Sequence, residues 1–250
     1  MTKLAFAYLE EPPFCFKDAG HGARGCDVEL AEQVATRLGY DGLEPIEAEF
    51  ADLPPGLISG RWSMTTGLFI SDERRGLVDF TTPIWALGDG LLVRKGNPRR
   101  LSGYRSLGLD PTARLAVIRD QVQHATALAN GVPPERILVF DTQAQAAAAV
   151  LKGEADAYAS VTMAHRGFLK RDAQDSLDIV DAPASEKAPA QGAFALAKSN
   201  ASLTEAVNAQ LRKILTEAWH ADLMKRYGFS EGDLARLPQQ PSVSREHRTS

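Results

Sequence analysis

The chain has 250 residues, 44% of them hydrophobic and 24% charged, the make-up of a globular protein with room for one large or two small cores. A net charge of -4 supplies no broad cationic surface, which argues against nucleic acid or an acidic membrane as partner. No apolar run reaches the length of a transmembrane helix.

The N-terminal MTKLAFAYLEEPPF has one lysine, a short apolar stretch and no small-residue cleavage site before its glutamates and prolines. It does not read as a secretory signal, so the expectation is either a mature form or a cytoplasmic protein. Within it, LAFAYL (4–9) is a β-type run that stops at EEPP. Cys15 and Cys26, the chain's two cysteines, flank the Gly-rich turn KDAGHGARG. Two readings stay open for them: a disulfide across the hairpin in an oxidising compartment, or two buried free thiols. Nothing has the spacing of a metal cluster and no GxGxxG is present, so no metal and no cofactor are expected.

Asp27 can cap a helix whose apolar positions Val28, Ala31, Val34, Ala35 and Leu38 follow helical spacing, with Gly39 closing it. LEPIEAEF reads as a strand. ADLPPGLISG reads as a short helix whose prolines fall in the first turn, where no N–H is missed. SMTTGLF reads as a third strand. Strands alternating with helices predict an α/β fold with parallel pairing.

The second half repeats the theme. TARLAVIR is a strand, DQVQHATALANGV a helix from near Asp120 to Gly131, and RILVFD a strand. TQAQAAAAVLKG is a helix capped by Thr142, and EADAYAS another strand. Both halves thus run strand, helix, Gly plus a charged residue, strand, which predicts two lobes of similar architecture. LGDGLLVRKGNP (87–98) and GAFALAKSN (192–200) read as the two crossings between them. The expected division is 1–93 and 195–250 in one lobe and 94–194 in the other, with a ligand cleft at the hinge. ASLTEAVNAQLRKILTEAWHADLMKRYGF reads as a long helical terminus whose Val207, Leu211, Ile214 and Leu215 pack on a sheet. The polar end of the chain is expected to be a flexible tail from about 238.

The segment GLFISDERRGLVDFTTPIW (67–85) places Arg74 and Arg75 side by side just past an apolar strand. Arg74 can be tied to Asp72, Glu73 or Asp79 at the surface. Alternatively it turns inward to hold an anion that the protein does not supply.

Taken in order, EEPPF, Gly25-Cys26-Asp27, GLFISDERRGLVDFTTPI, LLVRKGNP, VLKGEADAY and KRYGF resemble the family 3 extracellular solute-binding proteins of ABC transporters, the amino-acid-type periplasmic receptors. The resemblance spans residues 3–230. It implies a two-lobed type II periplasmic-binding-protein fold and a monomeric periplasmic receptor. Such a receptor closes over a small zwitterionic ligand and hands it to an ABC permease in the membrane. It also implies that Arg74 takes the ligand carboxylate with its guanidinium fork, while Arg75 is solvated.

Two departures bear on the ligand. Where such receptors carry hydroxyl residues at the first helix of the second lobe, this chain reads Arg119-Asp120-Gln121-Val122, leaving backbone N–H groups at Gln121 and Val122. Where they hold an α-ammonium with an aspartate, this chain reads Ser160, Val161 and Thr162. Glu11-Pro-Pro-Phe14, the Pro-Gly-Leu helix and Gly67-Leu-Phe69 are similar to ectoine and hydroxyectoine receptors of the same family. That likeness implies Phe14, Phe50 and Phe69 around a delocalised cation, with Glu11 balancing its charge. Gly67 and Thr162 complete the expected set of contacts. For each phenylalanine alone, ordinary core packing is the competing reading.

Two other functions stay in play. An enzyme on the same fold, such as a cyclohexadienyl dehydratase, needs a general acid, for which His124, His165 and Glu11 are the candidates; both histidines lie on predicted helices and read as surface residues. A soluble sensor domain that reports ligand to a partner is the third reading.

Overall fold

A computed structural model describes residues 2–18, 20, 22–172, 175–230 and 233; the expected tail from about 238 lies outside them. Two five-stranded sheets are built to one plan. The first runs Leu43–Glu47, Leu4–Tyr8, Met64–Thr65, Ala195–Ala197, Val78–Phe80. The second runs Ile137–Phe140, Leu115–Ile118, Ala157–Val161, Asp89–Arg94, Leu177–Asp181. In each sheet the first three strands are parallel and the last two pair antiparallel. The common motif read in the two halves of the sequence is therefore a common strand order.

A third, three-stranded antiparallel sheet joins the lobes, with Ala190–Ala193 between Leu68–Phe69 and Trp85–Leu87. The chain leaves the first sheet through Trp85–Leu87 and is already paired in the second at Asp89. The expected division at 93 thus falls inside the strand Asp89–Arg94, which lies wholly in the second sheet. The reason is chemical. The polar turn Lys95–Pro98 ends the strand, whereas the crossing itself carries the apolar residues Trp85, Ala86 and Leu87, all buried.

Local sequence explains the helices that flank the site. Cys26–Arg37 presents Val28, Leu30, Ala31, Val34 and Ala35 to the core, the spacing of one helical face. It begins two residues earlier than expected, with Gly25 rather than Asp27 at the N-cap. Gly25 has φ +130, and a Cβ there would lie 2.0 Å from the Phe14 carbonyl oxygen, so only glycine fits. Asp27 is thereby freed for a different task. Gln143–Lys152 starts in a reciprocal capping box: Thr142 Oγ1 accepts from Gln145 N–H at 3.3 Å, and Gln145 Oε1 accepts from Thr142 N–H at 3.3 Å.

The long C-terminal helix is two helices, Ala201–Ile214 and Ala218–Arg226. Between them Glu217 is extended, and its carboxylate takes both arms of Arg37 at 2.7 Å each. Val207, Leu211 and Ile214 are fully buried against the first helix and sheet, and Leu215 packs at their edge. One apolar cluster joins Phe14, Phe69 and Trp85 of the first lobe to Val161, Met163 and Ala164 of the second. Removing that apolar surface from water favours the lobes together by about 25 cal/mol per Å².

Candidate functional site

Between the lobes lies a cavity with about 460 Å³ of space not filled by atoms, its open mouth included. Eight of the nine residues expected from the sequence line it: Glu11, Phe14, Phe50, Gly67, Phe69, Arg74, Gln121 and Val122. Thr162 does not. Its hydroxyl bonds Asp89 O at 3.2 Å and Asp181 Oδ1 at 2.8 Å, within the second lobe. The strand ends at Val161 and a helix begins at Thr162, so the cavity receives Ser160 and Val161 instead.

Arg74 sits in the short helix Asp72–Leu77, whose N-cap Ser71 accepts its N–H at 3.2 Å. Arg74 is buried while Arg75 is exposed, since consecutive helical residues point about 100° apart. Its guanidinium lies 5.0 Å from the centre of the Phe50 ring. Nη1 donates to Phe69 O at 3.0 Å in the first lobe and Nη2 to Asp120 O at 2.8 Å in the second. Asp120, at φ +60, turns its carbonyl toward this arginine. Burial draws the Arg74 pKa below its ordinary value, opposed by the more distant charges of Glu73 and Asp120. Among the described residues no carboxylate forms an ion pair with Arg74.

Glu11 follows the first strand and closes a turn in which Glu11 N–H donates to Cys15 O at 2.8 Å. Its carboxylate accepts from Ser160 Oγ across the cleft at 3.4 Å. Burial pushes its pKa up to about 7; hydrogen bonds from Gln121 and Ser160 work against that, and the nearby Asp27 adds to it. Gln121 is the N-cap of Val122–Ala129. Its Oε1 is buried and has no hydrogen-bond partner.

The aromatic wall has a fourth member that sequence reasoning missed. Trp85 lies 5.5 Å from Phe14 with the rings tilted at 43° and meets Phe69 edge-on at 5.3 Å. The signal was there in two glycines. A Cβ at Gly192 would lie 2.0 Å from the Trp85 ring, and one at Gly67 would lie 2.8 Å from it. The indole slots between two backbones that must lack side chains, which links Gly67 to packing as well as to the cavity.

Behind this wall lies Asp27, the supposed helix cap. It is buried and accepts from Thr66 Oγ1 at 2.7 Å, Gly67 N–H at 2.8 Å and Trp85 Nε1 at 3.3 Å. Burial raises its pKa, and these donors work in the opposite direction. It therefore fixes the indole, and it ties the break between Met64–Thr65 and Leu68–Phe69 to the helix Cys26–Arg37. SMTTGLF, expected as one strand, is two for this reason. In the second lobe Asp89 plays a similar part, accepting from Tyr104 OH at 2.6 Å and from Gln123 Nε2 at 3.2 Å.

Cys15 and Cys26 are free and buried. The hairpin pairs Phe16 with Arg24, a register that sets Cys15 against Gly25 and leaves Cys26 one residue out of step. The Cys15 thiol donates to Thr66 Oγ1 at 3.2 Å and the Cys26 thiol to Asp27 Oδ1 at 3.6 Å. Burial pushes both thiols well above the usual range. Of the candidate acids, His165 is no surface residue. It is fully buried outside the cavity, its Nε2 3.2 Å from Gly90 O and its ring 5.0 Å from that of Tyr158. Burial draws its pKa down to about 4. His124 does not line the cavity either. Among the described residues no group of His, Cys, Asp and Glu could hold a metal.

The cavity is thus an apolar, aromatic chamber with one buried cation on one side and one half-buried acid on the other, set where two lobes meet. Such a chamber can bind a small molecule of opposite charges. The chain is 28% identical to a probable amino-acid ABC transporter periplasmic-binding protein of Sinorhizobium fredii, over 94% of this chain and 80% of that protein. In fold it is similar to EhuB in complex with hydroxyectoine, with a TM-score of 0.84, 24% identity, and 93% and 90% of the two chains covered. It is also similar to the ancestral amino acid-binding protein AncCDT-1, a precursor of cyclohexadienyl dehydratase, with a TM-score of 0.79, 24% identity, and 90% and 95% covered. The model of bacterial extracellular solute-binding proteins, family 3, matches residues 4–231, and the chain belongs to that family.

Proposed function

We propose that this protein is a non-catalytic receptor that closes its lobes over one small, amino-acid-like zwitterion outside the cytoplasmic membrane. As a monomer it presents the closed form to the permease of an ABC transporter. Arg74 takes the ligand carboxylate, Glu11 faces the cationic end, and Phe14, Phe50, Phe69 and Trp85 wall the space between. Gly67 lets the backbone approach, and the N–H of Val122 faces the carboxylate from the second lobe; the Gln121 N–H is taken by Ile118 O at 3.2 Å, so Gln121 contributes its side chain instead. The observation that carries this reading is Arg74: a buried guanidinium bonded to a carbonyl of each lobe and, among the described residues, paired with no carboxylate. A ligand carboxylate would meet it with a charge-assisted, two-pronged contact that a carbonyl does not match.

Glu11 also accounts for the departure at Ser160. The acid that other receptors carry on the second lobe comes here from the first, reaching Ser160 across the cleft. A thermal-shift screen of amino acids, betaines and ectoines tests the receptor reading, because a ligand at a hundredfold excess over its Kd stabilises the folded state by about 2.7 kcal/mol. Binding lost in Arg74→Ala and kept in Arg75→Ala is the expected result.

The raised pKa of Glu11 is also what an acid catalyst needs, and this favours the dehydratase as second reading. Prolonged incubation with the best ligand separates the two. A receptor returns it unchanged, whereas a new product by mass spectrometry overturns the non-catalytic claim.

A further inference from the structure

A second, larger chamber opens beside the aromatic cavity, about 950 Å³ against about 460 Å³. Leu9, Glu11, Phe50 and Gln121 line both spaces, so the two adjoin along these four side chains. The chambers differ in charge. The aromatic cavity holds one acid and one arginine, Glu11 and Arg74. The larger chamber is lined by six carboxylates, Glu10, Glu11, Glu47, Glu49, Asp52 and Asp141, against the single cation Arg61.

Some of that negative charge is already met. Glu10 pairs with Arg171, Glu47 with Lys17, and Asp141 with Arg119 at 2.8 Å. Glu49 and Asp52 form no ion pair among the described residues, and Arg61 lies 4.7 Å over the Trp62 ring. An independent observation lies at the junction of the two spaces. Gln121 is 8% exposed, and its buried Oε1 accepts no hydrogen bond. Ionised carboxylates such as Glu49 and Asp52, and an amide oxygen, accept and do not donate, so a ligand group that meets them carries N–H donors and, by charge, is a cation.

We infer that the ligand is elongated, with its carboxylate end at Arg74 and a terminal ammonium or guanidinium past Gln121 in the acidic chamber. The inference rests on the receptor reading, since it takes Arg74 as the carboxylate clamp. It goes beyond it by naming a second subsite and by excluding a compact zwitterion as the preferred solute. Three ligands isolate its parts: L-arginine; L-citrulline, of the same length without the charge; and agmatine, which lacks the carboxylate.

Calorimetry on the full chain at low salt should show L-arginine binding at least about tenfold tighter than L-citrulline, with agmatine weak. The double variant Glu49→Gln, Asp52→Asn should narrow the gap between arginine and citrulline severalfold while leaving citrulline binding unchanged. Added salt should narrow it in the wild type but less in the variant. Equal affinity for arginine and citrulline, or a double variant that weakens both alike, overturns the inference. A compact zwitterion such as ectoine binding tightly through Arg74, with arginine inert, overturns the second subsite and leaves the receptor reading standing. If no zwitterion of any length binds and Arg74→Ala changes nothing, both fall.

Discussion

Glu11→Gln should remove a measurable part of the protein's pH dependence. In the folded state the Glu11 carboxyl titrates at about 7 against an ordinary value of 4.5, chiefly because burial disfavours its charged form. Between those values the unfolded chain has lost the proton and the folded chain still holds it, so stability falls as pH rises. The contribution is fully present below the unfolded pKa and lost as pH passes the folded one. A gap of about 2.5 pH units at about 1.36 kcal/mol each gives roughly 3 kcal/mol. Asp27 and Asp89 are raised by burial too, and act with the same sign. The difference between wild type and Glu11→Gln isolates Glu11, since glutamine keeps the acceptor toward Ser160 and cannot ionise. Urea unfolding at a series of pH values reads that difference directly. A cationic ligand end beside Glu11 should reverse the trend by lowering its pKa. Binding near neutral pH should therefore release a proton, measurable as a calorimetric heat that depends on the buffer. If the two proteins lose stability in parallel between about pH 4.5 and 7, the burial argument for Glu11 is wrong.

The remaining expectations concern the clamp, the indole slot and the thiols. Arg74→Ala should cost on the order of 2–5 kcal/mol of ligand affinity by calorimetry, and Arg74→Lys should fail similarly because a point charge cannot make two parallel contacts. Arg75→Ala should cost no more than about 1 kcal/mol, as for any solvated charge. Gly192→Ala drives a methyl group into the Trp85 ring, so thermal or urea unfolding should report a loss of about 1–3 kcal/mol and the indole fluorescence should shift; an unchanged midpoint would mean the slot is looser than its geometry. Reductant should leave the melting temperature unchanged, and both thiols should react with a thiol reagent only after unfolding.

Much of the fold was legible because its signals are local and repeated. Thr142 three residues before Gln145, prolines in the first turn after Asp52, and apolar spacing from Val28 to Ala35 each specify a helix without reference to distant chain. The two lobes showed in the sequence because the same strand and helix order recurs. Where reading failed, the deciding partner lay far along the chain. Asp27 has the residue type and place of a helix cap, and nothing near it says that Thr66, Gly67 and Trp85 will take its oxygens. The break in SMTTGLF follows from that same carboxylate, 40 residues away from Gly67.

The site divides along the same line, and the division explains which residues were missed. The inward Arg74 and outward Arg75 were implied by the family resemblance of ISDER, and the short helix Asp72–Leu77 supplies the geometry that separates them. Trp85 could not be placed that way, because its position depends on two glycines more than a hundred residues apart that meet only when the small interlobe sheet forms. Thr162 failed by a single residue: strand periodicity continued past Val161 would make it alternate with Ser160 on the cavity face, but the chain turns into a helix there and its hydroxyl goes to Asp181. Glu11 is the opposite case. Its type and place were readable, but its charge state was not, because the raised pKa comes from burial that exists only in the folded chain, opposed by hydrogen bonds from Gln121 and Ser160 of the second lobe. Whether that carboxyl is ionised matters most for ligand choice, and desolvation by the second lobe is the expected source of its burial. A variant that holds the lobes apart should therefore return Glu11 toward its ordinary range. Gly167 offers one: a Cβ there would lie 2.3 Å from Pro12 O across the cleft, so Gly167→Val should keep each lobe folded while opposing closure. Titration of Glu11 by carbon-13 NMR should then give a pKa below that of wild type. An unchanged value would locate the shift within the first lobe and remove closure from the explanation.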